Sequence, residues 1–242
     1  MKDSKYTKFG ASVIGPLQIK NGLPNQDSFI TRSYSWGNIV VVADGLGSKQ
    51  HPEIGSAQVG KAVCESVVKF TRIKNSSLED LFRLINSNWM INISPYYYRD
   101  CSTTCLIAIQ IQDRLILARL GDGMIVAASK DNEIILLAED KDSGFSNMTN
   151  CMSNKFNYSD WQIKDLKDFK IKYVILCSDG IADDLKEDSR VSFASSLYKS
   201  YSAMSTRNIN RDIKNWLKKW PVPKHTDDKS IAGLFLKEIS NE

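Results

Sequence analysis

Three Asp-Gly steps stand directly after mostly apolar stretches of this chain. The steps are Asp44-Gly45, Asp122-Gly123 and Asp179-Gly180, and the stretches before them are 39–43, 115–120 and 173–178. A carboxylate at the end of a buried strand is costly to desolvate unless a cation or a hydrogen-bond donor compensates it. One Asp-Gly step is typical of a turn, but packing alone does not explain three. The set therefore indicates a shared site of carboxylate oxygens.

These carboxylates have the chemistry that hard divalent cations require, since Mg²⁺ and Mn²⁺ prefer carboxylate, carbonyl and water oxygens. Two such ions roughly 3.5 to 4 Å apart acidify a shared water and clamp the oxygens of a phosphoryl group. We expect Asp44 to bridge the ions, because Gly45 leaves a backbone carbonyl sterically free as a further ligand. Asp179 and Asp227 would complete the shell of the first ion, and Asp27 would hold metal-bound waters. The pattern predicts metal-assisted hydrolysis of a phosphate ester.

Composition limits the remaining possibilities. The chain has 242 residues, 42% apolar and 25% charged, which is ordinary for one soluble domain with a full core. It contains no apolar run of the roughly 18 to 20 residues that a membrane span needs, and its first residues lack the apolar core of a secretory signal. We therefore expect a cytoplasmic protein that does not contact membranes.

Cysteines and basic residues favour no further chemistry. The five cysteines are interpreted as free thiols rather than disulfides, and no Cys or His pair at zinc spacing accompanies Cys101 and Cys105. The net charge is +4, with basic residues concentrated at 199–224. A solvated helix face explains that cluster, and an acidic or phosphorylated partner is the second interpretation. No motif supports binding to nucleic acid.

The hydrophobic pattern predicts an α+β protein. Strands are predicted at 11–14, 28–33, 39–43, 102–109, 115–120, 124–129, 133–138, 173–178 and 231–236. Helices are predicted at 52–70, from a capping box of Ser76 and Glu79 to about 92, at 188–201 and at 208–220. The polar segment 139–170 is interpreted as a flap or a tolerated insertion. This order predicts a single domain, 1–242, with two helix pairs covering two antiparallel sheets.

Six short motifs resemble, in order and spacing, those of the type-2C metal-dependent protein phosphatases, and nearest their bacterial branch. They are Pro24-Asn25-Gln26-Asp27, Val41-Val42-Ala43-Asp44-Gly45, Ser102-Thr103-Thr104, Leu120-Gly121-Asp122-Gly123, Cys177-Ser178-Asp179-Gly180-Ile181-Ala182-Asp183 and Asp227-Asp228-Lys229-Ser230. The resemblance implies a four-layer α-β-β-α sandwich and a phosphoserine or phosphothreonine phosphatase. It implies phosphoprotein substrates, a monomer, and direct attack of a hydroxide that bridges two Mn²⁺ or Mg²⁺ ions.

The resemblance also implies roles for individual residues. Asp44 matches the bridging ligand and Gly45 the carbonyl ligand, while Asp179 and Asp227 match the remaining ligands of the first ion. Two further carboxylates match positions that, with Asp179, hold a third and weaker ion in bacterial relatives; they are Asp122 and Asp183.

The chain departs from the family pattern at three positions. Gln26 replaces the usual Glu, so we expect the second ion to bind more weakly or through water. Gly22 replaces the phosphate-binding Arg, and Leu46 replaces a His that is a candidate general acid. Possible substitutes, each also explained as an ordinary surface or loop residue, are Lys20 and Arg32 for the Arg and His51 and His225 for the general acid. Lys49 lies in the loop beside the expected metals and could help attract phosphate, although the default interpretation is a solvated loop lysine.

These departures leave two other hypotheses open. In the first, the chain is a pseudophosphatase that acts as a regulatory phosphoprotein-binding module. Retention of five site carboxylates argues against it, because carboxylates without a cation repel one another. In the second, the chain is a metal-dependent nuclease, but its basic cluster lies in a different segment from the acidic motifs.

Overall fold

Ten strands form two antiparallel sheets in the computed structural model, which describes residues 5–139, 150–222 and 225–237. In chain order the strands are β1 (Tyr6–Val13), β2 (Asp27–Tyr34), β3 (Gly37–Asp44), β4 (Cys105–Ile111), β5 (Arg114–Leu120), β6 (Met124–Ser129), β7 (Ile134–Leu137), β8 (Gln162–Leu166), β9 (Ile171–Cys177) and β10 (Lys229–Leu236). Sheet A has the order β1-β10-β9-β6-β7, and sheet B has the order β2-β3-β4-β5-β8.

Among the described residues, six α-helices accompany the sheets, and two pairs of them cover the outer faces. They are α1 (Pro16–Lys20), α2 (Pro52–Phe70), α3 (Leu78–Asn92), α4 (Asp179–Ala182), α5 (Arg190–Tyr201) and α6 (Thr206–Leu217). The pair α2 and α3 packs on sheet B, and the pair α5 and α6 packs on sheet A. Within the part of the chain that the structure describes, no helix is both long and apolar enough to cross a membrane.

Side-chain alternation along the strands explains the four layers. In β3, Ile39 and Val41 face α2 and α3, whereas Val40 and Val42 face sheet A. Successive side chains of a strand point to opposite faces, so a strand between a helix layer and a second sheet is apolar on both sides. The α+β, α-β-β-α sandwich predicted from the sequence is confirmed.

One end of the sandwich collects the ends of strands from both sheets. The register pairs the first residue of β2, Asp27, with the last residue of β3, Asp44. In sheet A the last residue of β9, Cys177, pairs with the first residue of β6, Met124. The Asp-Gly steps at or just after the ends of β3, β5 and β9 therefore lie at this common end.

Several local predictions need correction. Strand β1 begins at Tyr6 rather than at 11, and the short helices α1 and α4 were not predicted. The capping box of α3 is Ser77 with Asp80, not Ser76 with Glu79: each side chain binds the backbone N–H of the other residue. Ser76 instead donates its hydroxyl to the carbonyl of Ile73, which completes the preceding turn.

The segment 139–170 is not irregular throughout. Residues 140–149 lie outside the described part of the chain. Further on, β8 pairs with β5 as the edge strand of sheet B, and Met152, Trp161 and Phe169 are buried. The mostly polar composition of β8 hid it, because an edge strand exposes much of its surface to water.

Candidate active site

Sheet B supplies two neighbouring carboxylates, Asp27 and Asp44. The backbone of Asp44 is held from both sides: its N–H donates to Thr104 Oγ1 at 2.9 Å, and its carbonyl accepts from Thr103 Oγ1 at 2.8 Å. The N–H of Thr104 also donates to that carbonyl at 2.8 Å. The Ser-Thr-Thr motif therefore fixes the position from which the Asp44 carboxylate projects.

Sheet A supplies Asp179 and Asp227. Asp179 begins α4 directly after β9, and its Oδ1 accepts the N–H of Gly180 at 2.6 Å. Asp227 stands two residues before β10, where its Oδ1 accepts from Gln18 Nε2 at 3.1 Å. The hydrogen bond from Ser178 Oγ to Asp27 Oδ2, at 2.7 Å, joins the two sheets across the site.

Gly45 is required by space. A Cβ on this residue would lie 2.3 Å from the carbonyl oxygen of Pro52, the first residue of α2. Real Cβ atoms do not approach backbone this closely, so glycine lets the loop pass against the start of α2. Its N–H donates to the carbonyl of Gln26 at 3.0 Å, which keeps the loop beside β2.

The carboxylates perturb one another strongly. Burial, followed by the charges of Asp27 and Asp179, raises the pKa of Asp44 well above its usual range. Burial and the charge of Asp227 raise the pKa of Asp179 to about 6, against a hydrogen bond with Asp44 that lowers it. Burial, with the charges of Asp179 and Asp228, raises the pKa of Asp27 to about 8. With a pKa of about 8, Asp27 keeps its proton at neutral pH when no cation is bound, whereas Asp179, with a pKa of about 6, is mostly ionised.

The predicted ligands meet at one cavity of about 710 Å³. Five predicted site residues line it: Asp44, Gly45, Asp122, Asp179 and Asp227. The remaining predicted ligand for a third ion, Asp183, is exposed and lines a neighbouring cavity of about 230 Å³, which Asp179 and Asp227 also line. The structure therefore brings residues 183 positions apart in sequence to one opening between the two sheets.

Asp27 takes a different place from its predicted partners. It is buried behind the cavity, with Oδ2 bonded to Ser178 and Oδ1 without a hydrogen-bond partner among the described residues. Gln26, not Asp27, lines the cavity. A buried carboxylate oxygen without a donor is costly, so this oxygen is an available acceptor at the back of the site.

Asp228 belongs to one of the six motifs, but the sequence analysis assigned it no role. Its side chain is 2% exposed, and its two oxygens accept the N–H of Gly15 and the N–H of Gln26, each at 2.6 Å. Asp228 thereby ties the loop before β10 to the segments that enter α1 and β2. Its role is to hold the backbone that carries its neighbour Asp227.

The basic candidates are distributed unequally. Lys49 is the only Lys or Arg among the described residues that line the main cavity, whereas Lys20 and Arg32 are exposed elsewhere. His51 packs against Tyr96, and neither it nor His225 lines the main cavity. His225 Nδ1 lies 2.5 Å from Asp184 Oδ2, at the smaller cavity.

The candidate ligands that line the cavity all coordinate through oxygen, which hard divalent cations prefer. No three His, Cys, Asp or Glu side chains in residues 5–139, 150–222 and 225–237 form a ready-made metal cage. The carboxylate and carbonyl oxygens that line the cavity are nevertheless the donor types that Mg²⁺ and Mn²⁺ prefer.

The sequence profile of protein phosphatase 2C matches residues 14–218. The chain belongs to the protein phosphatase 2C family. A comparison with curated proteins finds no match. Membership confirms the resemblance drawn from the six motifs and supports a protein phosphatase in general terms.

Several solved structures share the fold. RsbX in complex with magnesium superposes with a TM-score of 0.62 at 17% identity, covering 95% of this chain and 94% of that chain. The photosystem II phosphatase PBCP gives 0.66 at 14% identity over 97% and 100%. A C. elegans sex determining protein gives 0.67 at 16% identity over 98% of this chain and 66% of that one. At these identities the likeness shows the fold alone.

Proposed function

We propose that this protein phosphatase 2C member is a metal-dependent serine/threonine phosphatase. The observation that carries the proposal is the convergence of Asp44 from sheet B with Asp179 and Asp227 from sheet A on one open cavity. The proposal is also supported by family membership, because protein phosphatases 2C generally depend on Mn²⁺ or Mg²⁺. When bound, two divalent ions supply an acidified water and neutralise the charge on the phosphoryl oxygens.

The chain's own residues have separable tasks in this proposal. Asp44 would bridge the ions, with the Gly45 carbonyl beside it, and Asp179 and Asp227 would complete the first shell. Asp27 would accept hydrogen bonds from coordinated waters through Oδ1, since Oδ2 is engaged by Ser178. A third, weaker ion would take Asp179 together with Asp122, which lines the same cavity, and Asp183, which lines the neighbouring one.

Lys49 is the proposed phosphate-binding residue. The family's Arg position is Gly22, which is exposed and does not line the cavity. Lys49 follows the loop from Gly45 and carries the one cation that the described lining residues offer. Its ammonium would hold a phosphoryl oxygen as a point charge.

A covalent mechanism through cysteine does not fit this site. Cys177 is fully buried at the end of β9, and burial raises its pKa far from the thiolate range. Cys151 does line the cavity, but burial raises its pKa as well. A nucleophilic cysteine needs a lowered pKa, so we propose direct attack of water on phosphorus without a phosphoenzyme.

The alternative is a phosphoprotein-binding module without turnover. Gly22 and Gln26 favour it, because one removes the family's phosphate-binding charge and the other removes a carboxylate. It predicts a folded protein that binds a phosphothreonine peptide and releases no phosphate.

Phosphate release from a phosphothreonine peptide in Mn²⁺, with and without a chelator, separates these two functions. We expect chelator-sensitive release that falls by more than about 100-fold in Asp44→Asn, since a ligand shared by two ions is lost. Asp131→Asn is the matched control, because Asp131 is an exposed carboxylate in the turn at the far end of β6. Release that persists in chelator, or equal loss in both variants, would refute the proposal.

Gln26→Glu tests the departure in the first motif. A carboxylate at this position of the cavity should lower the Mn²⁺ concentration needed for half-maximal activity, because it restores a charged ligand. An unchanged Mn²⁺ dependence would show that Gln26 does not weaken the second ion.

A further inference from the structure

A second concave surface lies beside the catalytic cavity, between α1 and the end of α6. We call it the α1–α6 groove; it has a volume of about 670 Å³. Its apolar floor includes Val13, Ile14, Ile19, Leu217 and Trp220. Ile19 is 61% exposed, which is high for a large apolar side chain on a helix. Val13 and Leu217 are buried at the bottom of the groove, so Ile19 is the apolar side chain that a bound molecule would cover most.

The charge around this floor has one sign. Lys214 and Lys218 line the groove, and no Asp or Glu is among the described residues that line it. Neither lysine forms an ion pair with a described residue, whereas Lys229 Nζ is already bound to the Asp227 carbonyl at 3.0 Å. His225 is likewise engaged, by Asp184. The available charge of the groove is therefore that of Lys214 and Lys218.

Two lysines at the end of α6 lie close enough to destabilise the helix by charge repulsion. Its buried stripe is Ile209, Ile213 and Leu217, spaced by four residues, and this stripe packs on sheet A. Lys214 and Lys218 also stand four apart, so their charges lie one turn from each other on the same side. Like charges at this spacing repel each other and destabilise a helix. An anionic partner lying along the two lysines would remove that repulsion.

The groove and the catalytic cavity are neighbours, separated by α1. Leu17 and Gln18 line the cavity, while Pro16 and Ile19, on the other side of the same helix, line the groove. The helix is also tied to the metal-site loop, since the Leu17 N–H donates to the Thr226 carbonyl at 3.0 Å. A helix is about 10 Å across, so an extended chain would cross from one surface to the other in about three or four residues.

We infer that the α1–α6 groove binds an acidic, apolar segment of the phosphoprotein substrate, outside the segment that carries the phosphate. The apolar floor selects side chains such as Leu or Ile, and the lysine pair selects Glu or Asp between them. A nucleic acid would meet the lysines but would leave the floor uncovered, so the floor favours a protein. The assignment to a substrate rests on the proposed function; the assignment of the segment's chemistry does not.

Binding is measured without metal or phosphate, by the fluorescence anisotropy of a short fluorescein-labelled peptide in which Glu and Leu alternate. We expect saturable binding that weakens about tenfold in the double variant Lys214→Glu/Lys218→Glu, on the scale of exposed ion pairs. A peptide with Lys in place of Glu should bind that variant better than it binds the unsubstituted protein. Lys199→Glu is the matched control, because Lys199 is an exposed lysine on α5 that does not line the groove.

Two results of this experiment would overturn the inference. Equal binding of a peptide with Ser in place of Leu would show diffuse charge attraction rather than a groove. Equal weakening in Lys199→Glu would show that net charge, not the lysine pair, governs binding. Thermal unfolding of each variant confirms that it is folded before binding is compared.

A turnover experiment then tests the role of the segment in substrate choice. The same acidic, apolar segment is joined through a short Gly-Ser spacer to a phosphothreonine peptide. It should lower KM about fivefold with kcat unchanged, and Lys214→Glu/Lys218→Glu should abolish this gain. An aryl phosphate should be hydrolysed equally by both proteins. If the unsubstituted protein hydrolyses neither substrate in Mn²⁺, the proposed function fails, while the anisotropy result still decides the groove.

Discussion

Substitution by Asn should have different effects at the adjacent residues Asp227 and Asp228: loss of activity at Asp227 and loss of stability at Asp228. Asp228→Asn keeps the shape of a buried side chain whose two oxygens accept the N–H groups of Gly15 and Gln26. The amide turns one acceptor into a donor, so one charge-assisted hydrogen bond is lost and one buried N–H is left unpaired. That loss is worth roughly 2 to 4 kcal/mol. Burial raises the pKa of Asp228, so removing its charge offsets part of this loss.

We therefore expect Asp228→Asn to lower the free energy of unfolding by about 2 kcal/mol, or Tm by about 4 to 8 °C for a chain of this size. Asp227→Asn alters an exposed side chain and should stay within about 0.5 kcal/mol. Its effect should instead be on Mn²⁺-dependent phosphate release, with a loss of at least about 100-fold. Urea and thermal unfolding in chelator measure the first pair of values. Equal destabilisation by the two substitutions, or a larger one for Asp227→Asn, would refute the distinction between anchor and ligand.

Three further outcomes follow from the site. The folded-state pKa values of Asp27, about 8, and Asp179, about 6, lie above those of unfolded carboxyls, so the metal-free folded protein binds the extra protons. The free energy of unfolding should therefore fall as pH rises from about 4 to about 8, by about 1.4 kcal/mol per pH unit for each extra proton. Saturating Mn²⁺ should flatten this slope. Chemical denaturation that shows the free energy of unfolding rising over this pH range would contradict the reasoning. Gly45→Ala should destabilise by about 1 to 3 kcal/mol because its Cβ meets the Pro52 carbonyl, whereas Gly47→Ala, whose Cβ meets only the flexible end of Gln26 at 3.2 Å, should unfold almost as the parent does. Lys49→Met should lower kcat/KM for phosphopeptide and aryl phosphate by about 10- to 100-fold, with Lys49→Arg retaining most activity and Lys20→Met unaffected; equal rates in Lys49→Met and the parent would remove Lys49 from phosphate binding.

Features that depend on residues close together in the sequence were predicted correctly. An apolar run that ends in Asp-Gly placed Asp44, Asp122 and Asp179 at strand ends, and helical periodicity gave the bounds of α2 as the structure has them. The four- and five-residue helices α4 and α1 are too short for any periodicity to show.

Long-range polar contacts could not be predicted in this way. The partners of Asp228 lie 213 and 202 residues away in the chain. No residue near Asp228 indicates that both of its oxygens face backbone N–H groups. Asp27 was predicted to face coordinated waters, and only the packing of the two sheets shows that one of its oxygens bonds to Ser178. The metal roles of all these carboxylates stay predictions until an ion is measured.

The bond between Ser178 and Asp27 spans the seam between the two sheets, and the acids of the site stand on both sides of that seam. The gap between Asp44 and Asp179 is therefore set by the thickness of the apolar layer beneath, where Val42, Leu106 and Leu176 interleave without contact with water. Changing one methylene in that dry layer shifts one sheet against the other, because close-packed interiors transmit strain. The spacing of these carboxylates, and with it the ion binding proposed above, would thus be tuned from buried residues that lie outside the cavity.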